Sequence, residues 1–460
     1  MDVAIISFVG LCVLLGVGHV LRMRIRLLQT LYLPSCVIGG LLGLAAIQIA
    51  KAAGAPLPDG WTAGWGKLPS FLINIVFACL FLGVTLPKAS TLWRRAGPQL
   101  AYGQVVAWGQ YVVGVGLVLV LLGPIFGVGP MFGGIVPVGF EGGHGTAGGM
   151  GPVFEKLGWE NGKDFALASA TAGILSAVIV GIILINWAAR RGYTVRRQST
   201  ADVPEDDSIG VIPVDRRPSA GKLTVSADAI ESFTLHVVIV GLAILLGYLL
   251  QQGLLALGRL GGEKTTLFRV MDSFPLFPLC MLGGLAIQVV EDRFDRHNLI
   301  DPGLTRRIQN TALDFLVVAA ISTIKIQALA KGLTPFAIIV IVAIGWNVFC
   351  VMVLARRMLP DAWFERSIAE MGQSMGVTAT GLLLLRVVDP DYESPAADAF
   401  ASKQLLHEPF MGGGLWTSAA IPLLADPAIG PGPVLLIAGG AVAFWIVLTF
   451  AARLNRPVGG

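Results

Sequence analysis

The sequence predicts an all-α polytopic membrane protein, an inverted repeat of five spans plus a re-entrant hairpin, with one extra C-terminal span. Three observations predict it. First, 55% of the 460 residues are hydrophobic and only 13% are charged, against roughly 25% charged in an average soluble domain. A soluble globule of this length needs far more polar surface. Second, apolar runs of about 20 residues, each enough to cross a hydrocarbon core, recur along the chain. Third, a short motif appears twice in the same setting. The composition excludes an ordinary soluble enzyme, a disordered chain and a coiled coil. The formal net charge of +4 gives no reason to expect nucleic acid as a partner.

Eleven runs qualify as spans: 3–21, 32–50, 68–86, 99–123, 164–188, 229–253, 270–290, 310–330, 334–355, 397–424 and 431–453. The run Val3 to Leu21 ends in Arg22, Arg24 and Arg26 with no small-residue cleavage site, so it reads as the first span rather than a signal peptide. Two glycine-rich stretches remain, 131–155 and 365–388. Each is long enough to dip to the midplane and return, and too short to cross twice. With the N-terminus outside, the inner loops collect most Lys and Arg, among them Arg190, Arg191, Arg306, Arg307, Arg356 and Arg357. That bias implies an N-out, C-in layout in which neither glycine-rich stretch crosses.

The expected organisation is a first repeat over 1–189, a polar cytoplasmic linker over 190–228, a second repeat over 229–424 and the extra span with its tail over 425–460. The linker carries Arg pairs, Pro204, Pro213, Pro218 and the acidic run Glu205 to Asp207. The repeat rests on three matches in one order. Leu33–Leu41 (L-P-S-C-V-I-G-G-L) pairs with Phe277–Leu285 (F-P-L-C-M-L-G-G-L). Glu141 and the glycines after it pair with Glu370 and Gly372. Asp164–Ser169 pairs with Asp398–Ser402. Five crossings separate spans two and seven, so the halves run in opposite senses. Such inverted halves characterise secondary transporters, whose sites lie where broken helices meet near the midplane.

The chemistry sits in the two glycine-rich stretches. The first carries Glu141, Gly142, Gly143, His144, Gly145 and Thr146. Glycines let backbone groups approach a ligand, and a helix N-terminus at the tip offers N–H donors to a carboxylate. Unwound carbonyls with a hydroxyl suit a sodium ion. No phosphate-loop pattern occurs. The second carries Glu370, Gln373, Ser374, Gly376, Thr378 and Thr380. Its hydroxyls can serve a hard cation or bond their own helix at i−4. Ionisable residues inside membrane segments are costly and so point to function. That adds Lys403, His407 and Glu408 on span ten, where Lys403 has a choice of partners: a substrate carboxylate, Glu141 or Glu370. Asn74, Asn186 and Asn347 read as interhelical glue. Candidate substrate ligands are therefore Glu141, Gly142, Gly143, His144, Gly145, Thr146, Glu370, Gln373, Ser374, Thr378, Thr380, Lys403 and Glu408; candidate sodium ligands are Thr146, Ser374, Gly376 and Thr378. No cofactor is expected beyond sodium as coupling ion. The five cysteines form no CxxC pair.

These residues resemble the sodium/glutamate symporter family. The resemblance rests on G-G-H-G-T (Gly142 to Thr146), the small-residue helix A-L-A-S-A-T-A-G (Ala166 to Gly173) and M-G-V-T-A-T-G in the second stretch. The order of elements matches over most of the chain, the eleventh span apart. The resemblance implies sodium-coupled import of glutamate or a similar small carboxylate across the inner (plasma) membrane. It also implies a homodimer in which a static scaffold holds a mobile, elevator-type unit. The alternatives are a proton- or sodium-coupled carrier of another organic acid or amino acid, a passive channel and, more distantly, a membrane-embedded metal hydrolase using His144, His407 and Glu408. The last lacks H-E-x-x-H, and Pro409 interrupts the helix after Glu408.

Overall fold

The computed structural model describes residues 2–31, 33–55, 60–84, 89–195, 211–214, 217–389 and 393–456, and these contain no strand. Much of the expected linker, including Arg196, Pro204 and Glu205 to Asp207, lies outside the described residues. The main helices are α1 (Val3–Arg24), α2 (Ser35–Ala52), α3 (Leu68–Ala78) and α4 (Ala89–Leu117), which runs through a π-helical turn to Phe126. Then follow α5 (Gly143–Gly149), α6 (Gly162–Arg191), α7 (Ser232–Leu260), α8 (Phe277–Phe294) and α9 (Pro302–Ser322). The last are α10 (Leu333–Phe349), α11 (Trp363–Val388), α12 (Ala396–His407), α13 (Leu415–Ala425) and α14 (Pro431–Ala451).

Eight helices among the described residues are long and apolar enough to cross a membrane, α11 with its internal break counted among them, or nine if the short helix Thr266–Asp272 and α8, bent by 75° at their junction, count as one span. Expected spans three and ten are shorter or broken for local reasons. Helix α3 stops at Ala78 and gives way to turns that include Gly83 at φ +75°. Span ten is interrupted between His407 and Leu415, where Pro409 cannot donate to a helix and Gly412 and Gly413 take left-handed φ of +62° and +102°. Each of the three asparagines donates to its own helix, Asn74 to Ser70 O, Asn186 to Ile182 O and Asn347 to Ala343 O, and Asn74 Oδ1 also accepts from Cys280 Sγ of α8 (3.8 Å), an interhelical contact of the expected kind.

The chain divides into two compact units. One comprises Met1–Leu86, Gly148–Lys156 and Ile209–Ile324; the other comprises Pro87–Ala147, Leu157–Ser208 and Lys325–Gly460. In the first unit the paired glycines of the repeated motif do the packing. Gly39 of α2 lies against the Leu14 carbonyl of α1, and Gly283 of α8 lies against the Ala243 carbonyl of α7. Gly40 meets Ile321 of α9, while Gly284 meets the Ala78 carbonyl of α3. Small residues allow this backbone-to-backbone approach where no hydrophobic effect drives helices together. Outward faces such as Leu242, Leu245 and Leu249 of α7 are about half exposed and wholly apolar, as lipid permits and water does not.

The second unit also packs apolar side chains, with Tyr102, Val105, Cys350 and Met358 in one cluster and Ala107, Tyr111, Met411 and Ala438 in another. It also encloses a chain of charged and amide groups, positioned by two broken helices.

Candidate functional site

The first break follows a 3-10 turn (Pro130–Gly134) and a π-helical turn (Pro137–Glu141) that ends on Glu141. π-helical turns recur at functional sites because they re-aim side chains. Gly143 then takes φ +65°, a left-handed conformation that favours glycine, and opens α5. The second break lies inside α11, at Gly376 (φ −154°, ψ 25°) and Val377 (φ 71°, ψ 166°). A β-branched residue at positive φ is strained, and strain of this kind gathers at functional sites. Past the break the chain folds back on itself. A Cβ on Gly372 would lie 2.7 Å from Gly381 Cα and 2.8 Å from Thr380 O, whereas residues nine apart in a straight helix are about 13 Å apart.

The tips of the two broken helices meet. A Cβ on Gly143 would collide with the Val377 side chain. Helix α6 serves both tips through its A-L-A-S-A-T-A-G run and the Ile174 that follows it. Gly139 packs on Ala166 O and Ser169, Gly173 on Met375 O and Phe140, and Gly376 on Ile174.

Around these tips, buried polar groups form one connected chain. Lys403 Nζ donates to Glu370 Oε1 (2.6 Å), Gln404 Oε1 (2.9 Å) and Gln373 Oε1 (3.2 Å), and both Lys403 and Glu370 are fully buried. Gln99 Nε2 donates to Glu370 Oε2 (2.9 Å). Gln373 Nε2 donates to Glu141 Oε1 (2.7 Å), which also receives His407 Nε2 (2.6 Å). On the other side, Gln404 Nε2 donates to Thr378 Oγ1 (2.5 Å) and Glu408 Oε1 (3.1 Å), and Thr378 donates to Glu408 Oε1 (2.8 Å).

The network orients the histidine. Indole nitrogen only donates, so Trp108 Nε1 identifies Gln104 Oε1 as its acceptor (2.7 Å). Gln104 Nε2 then faces His407 Nδ1 (3.3 Å), which must accept. His407 Nε2 is the ring nitrogen directed at Glu141. Three carboxyl groups, Glu141, Glu370 and Glu408, thus share the network with one lysine, Lys403. Glu141 Oε2 is buried with no hydrogen-bond partner, which is costly unless something else approaches it.

Of the sequence candidates, Glu141, Glu370, Gln373, Thr378, Lys403 and Glu408 thus join one network. Ser374 sits beside it, its hydroxyl 3.4 Å from Gln373 Oε1 and its carbonyl receiving Gln110 Nε2 (2.7 Å). Thr146 donates to Gly412 O (3.3 Å), and a Cβ on Gly412 would lie 3.5 Å from Glu141 O. Gly142 packs locally on Val138 O and Thr146, and Gly145 is buried within α5. Two candidates turn elsewhere. Thr380 bonds its own helix at Gly376 O. His144 Nε2 donates to Thr171 Oγ1 (3.0 Å), whose own hydroxyl donates to Leu167 O. The sequence reading missed Gln99, Gln104, Gln110 and Gln404. Three of these amides lie in one otherwise apolar span, and buried amides in a span need partners; that was the available signal.

Residues 2–393 match the family model described as sodium/glutamate symporter. The chain belongs to that family. A sodium/glutamate symporter of Haemophilus influenzae is 21% identical over 389 residues, covering 83% of this chain and 88% of that protein, so the chain is a divergent member. The symporter family consists of transporters, not enzymes. Membership together with the apolar helices makes this a multi-pass protein of the plasma membrane.

Proposed function

We propose that the protein imports glutamate or a similar small carboxylate by symport with sodium, through alternating access of the elevator type. One observation carries the reading: two broken helix tips, at Gly143 and Val377, meet beside a buried charged network within one unit. Family membership supplies the class of cargo, as the Haemophilus influenzae relative is named for sodium and glutamate.

In this reading Thr146, Ser374, Gly376 and Thr378 provide hydroxyls and carbonyls to sodium. The glycines Gly142, Gly143 and Gly145 let N–H groups at the first tip approach the substrate carboxylate. Glu141, Glu370, Gln373, Lys403 and Glu408 set the charge and shape around it. Sodium binds first and orders the tips, substrate follows, and the loaded unit moves. Each net positive charge carried inward gains about 2.3 kcal/mol per 100 mV, enough for roughly 50-fold accumulation. The reading includes two inverted halves, which the corresponding contacts of the repeat glycines Gly39 and Gly283, and Gly40 and Gly284, support. We extend the proposal to re-entrant placement of both tips in the bilayer and to a homodimer.

The test is uptake of labelled glutamate into proteoliposomes with and without an inward sodium gradient. Sodium-driven accumulation is expected; uptake indifferent to sodium rejects the coupling. The unpartnered Glu141 Oε2 favours one second reading, a carrier in which a proton takes the place of sodium. Uptake driven by a pH gradient alone is its mark.

A further inference from the structure

We infer that Lys403 is a tethered cation filling a pre-built cation site, and that it stands in permanently for one coupling ion. The ligands of this site are Glu370 Oε1, Gln373 Oε1 and Gln404 Oε1. The second half of the inference rests on the ion-coupled reading above; the first half does not.

The ammonium has three donors, and three oxygens from three side chains meet them, at 2.6, 3.2 and 2.9 Å. A carboxylate and two amide carbonyls form a hard oxygen set of the kind that also holds a bare metal cation. These oxygens do not depend on the lysine to face inward. Gln373 turns its oxygen to the site because its nitrogen donates to Glu141. Gln404 does so because its nitrogen donates to Thr378 and Glu408. Glu370 is held from behind by Gln99. Helix α4 makes room with Gly103, where a Cβ would lie 2.5 Å from Glu370 Oε1 and 2.6 Å from Lys403 Cε. The site is fully buried, so the charge within it is fixed rather than exchanged with solvent.

The position explains why such a charge is useful. Through Gln373 the ammonium reaches Glu141 beside the first tip. Through Gln404 it reaches Thr378, just past the second break, and Glu408. A mobile cation at this point orders both tips only while bound. A lysine on α12 orders them in every state and removes one ion from each cycle.

The experiment replaces the tether by free ions. Lys403→Ala empties the position and leaves Glu370 buried without its partner, a strongly destabilising change unless another cation enters. Purified full-length protein is assayed in detergent at constant ionic strength, in choline, sodium or ethylammonium, for thermal unfolding and for 22Na+ bound per chain. Lys403→Ala should bind one more sodium than the parent. Its midpoint should rise with sodium and with ethylammonium by more than the parent's, following mass action. The double variant Glu370→Gln/Lys403→Ala should lose both gains. Lys403→Ser, whose hydroxyl adds an oxygen ligand, guards against simple loss of packing and should behave as Lys403→Ala does. Equal sodium binding in parent and variants overturns the proposal. So does failure of both single variants to fold in any of the three cations. None of these readouts involves transport, so failed glutamate uptake sinks the proposed function and the stand-in role with it, and leaves the pre-built cation site standing. Where uptake is measurable, its sodium dependence should steepen by one ion in Lys403→Ala; an unchanged slope rejects the stand-in role.

Discussion

The two units bury different things. In the first, helices close on one another at Gly39, Gly40, Gly283 and Gly284, with backbone against backbone or a single isoleucine. In the second, the interior carries Glu141, Glu370, Lys403 and His407 with four amides around them. Glycine contacts hold helices together at little electrostatic cost. Buried charges hold them together poorly, since a pair gains in attraction about what it loses in hydration. A membrane protein that keeps such a cluster in one unit and none like it among the described glycine seams of the other has placed its chemistry, and not its main cohesion, there. That contrast makes the effects of substitution in the two units separable.

The sharpest break comes at Glu141. Glu141→Ala deletes the acceptor of both Gln373 and His407. Two hydrogen bonds to a buried charged group together account for roughly 3 kcal/mol or more. Uptake should therefore fall by about 100-fold or more, measured as initial rate in proteoliposomes at matched protein density. Retention of near-normal uptake with unaltered ion dependence removes Glu141 from the working site and with it the contrast between the units.

The glycine seams give the complementary case. At Gly283 a Cβ would strike the Ala243 carbonyl and lie 3.1 Å from Gly247 N, both backbone atoms of α7. Gly283→Ala must therefore push α7 and α8 apart, and overpacking of this type costs about 1–3 kcal/mol. Gly39→Ala meets the Leu14 carbonyl of α1 in the same way. Both should lower the thermal unfolding midpoint in detergent. Neither should change which cation stabilises the protein, unlike substitutions at Lys403. A change in cation preference from either alanine shows that the seams and the charged network are not separate.

Much of this division was readable in the chain. The apolar runs, the paired glycines and the intramembrane Glu, Lys and His residues all follow from what lipid tolerates. What could not be read was pairing. Lys403 had three partners open to it, and only the fold selects Glu370, by bringing α11 against α12 and clearing space at Gly103. Thr378 and Thr380 look alike in sequence. The break at Gly376 and Val377 leaves Thr380 to bond Gly376 O and frees Thr378 for Glu408. The glutamines of α4 escaped because a scan for formal charge ignores amides, although an amide buried in a span needs partners as surely as a charge does. Expected span three fell short because turns follow Ala78, a limit that hydropathy does not register.

The smallest effect marks the edge of the comparison. Lys156 Nζ lies 2.7 Å from Asp272 Oδ2 in the first unit, with both side chains about two-fifths exposed. It is an ion pair of the same formal kind as Lys403 and Glu370, and as short. Solvent screens it, and holding two long side chains costs entropy, so exposed pairs contribute well under about 1 kcal/mol. The lysine also donates to the Asp272 carbonyl at 2.7 Å, which Lys156→Ala removes as well. Lys156→Ala should move the unfolding midpoint by no more than a few degrees, and raised salt should shrink even that difference. It should leave glutamate uptake within twofold of the parent. A loss of stability as large as that of Lys403→Ala in choline would mean that burial does not decide the strength of these pairs, and the distinction drawn between the two interiors would have to be abandoned.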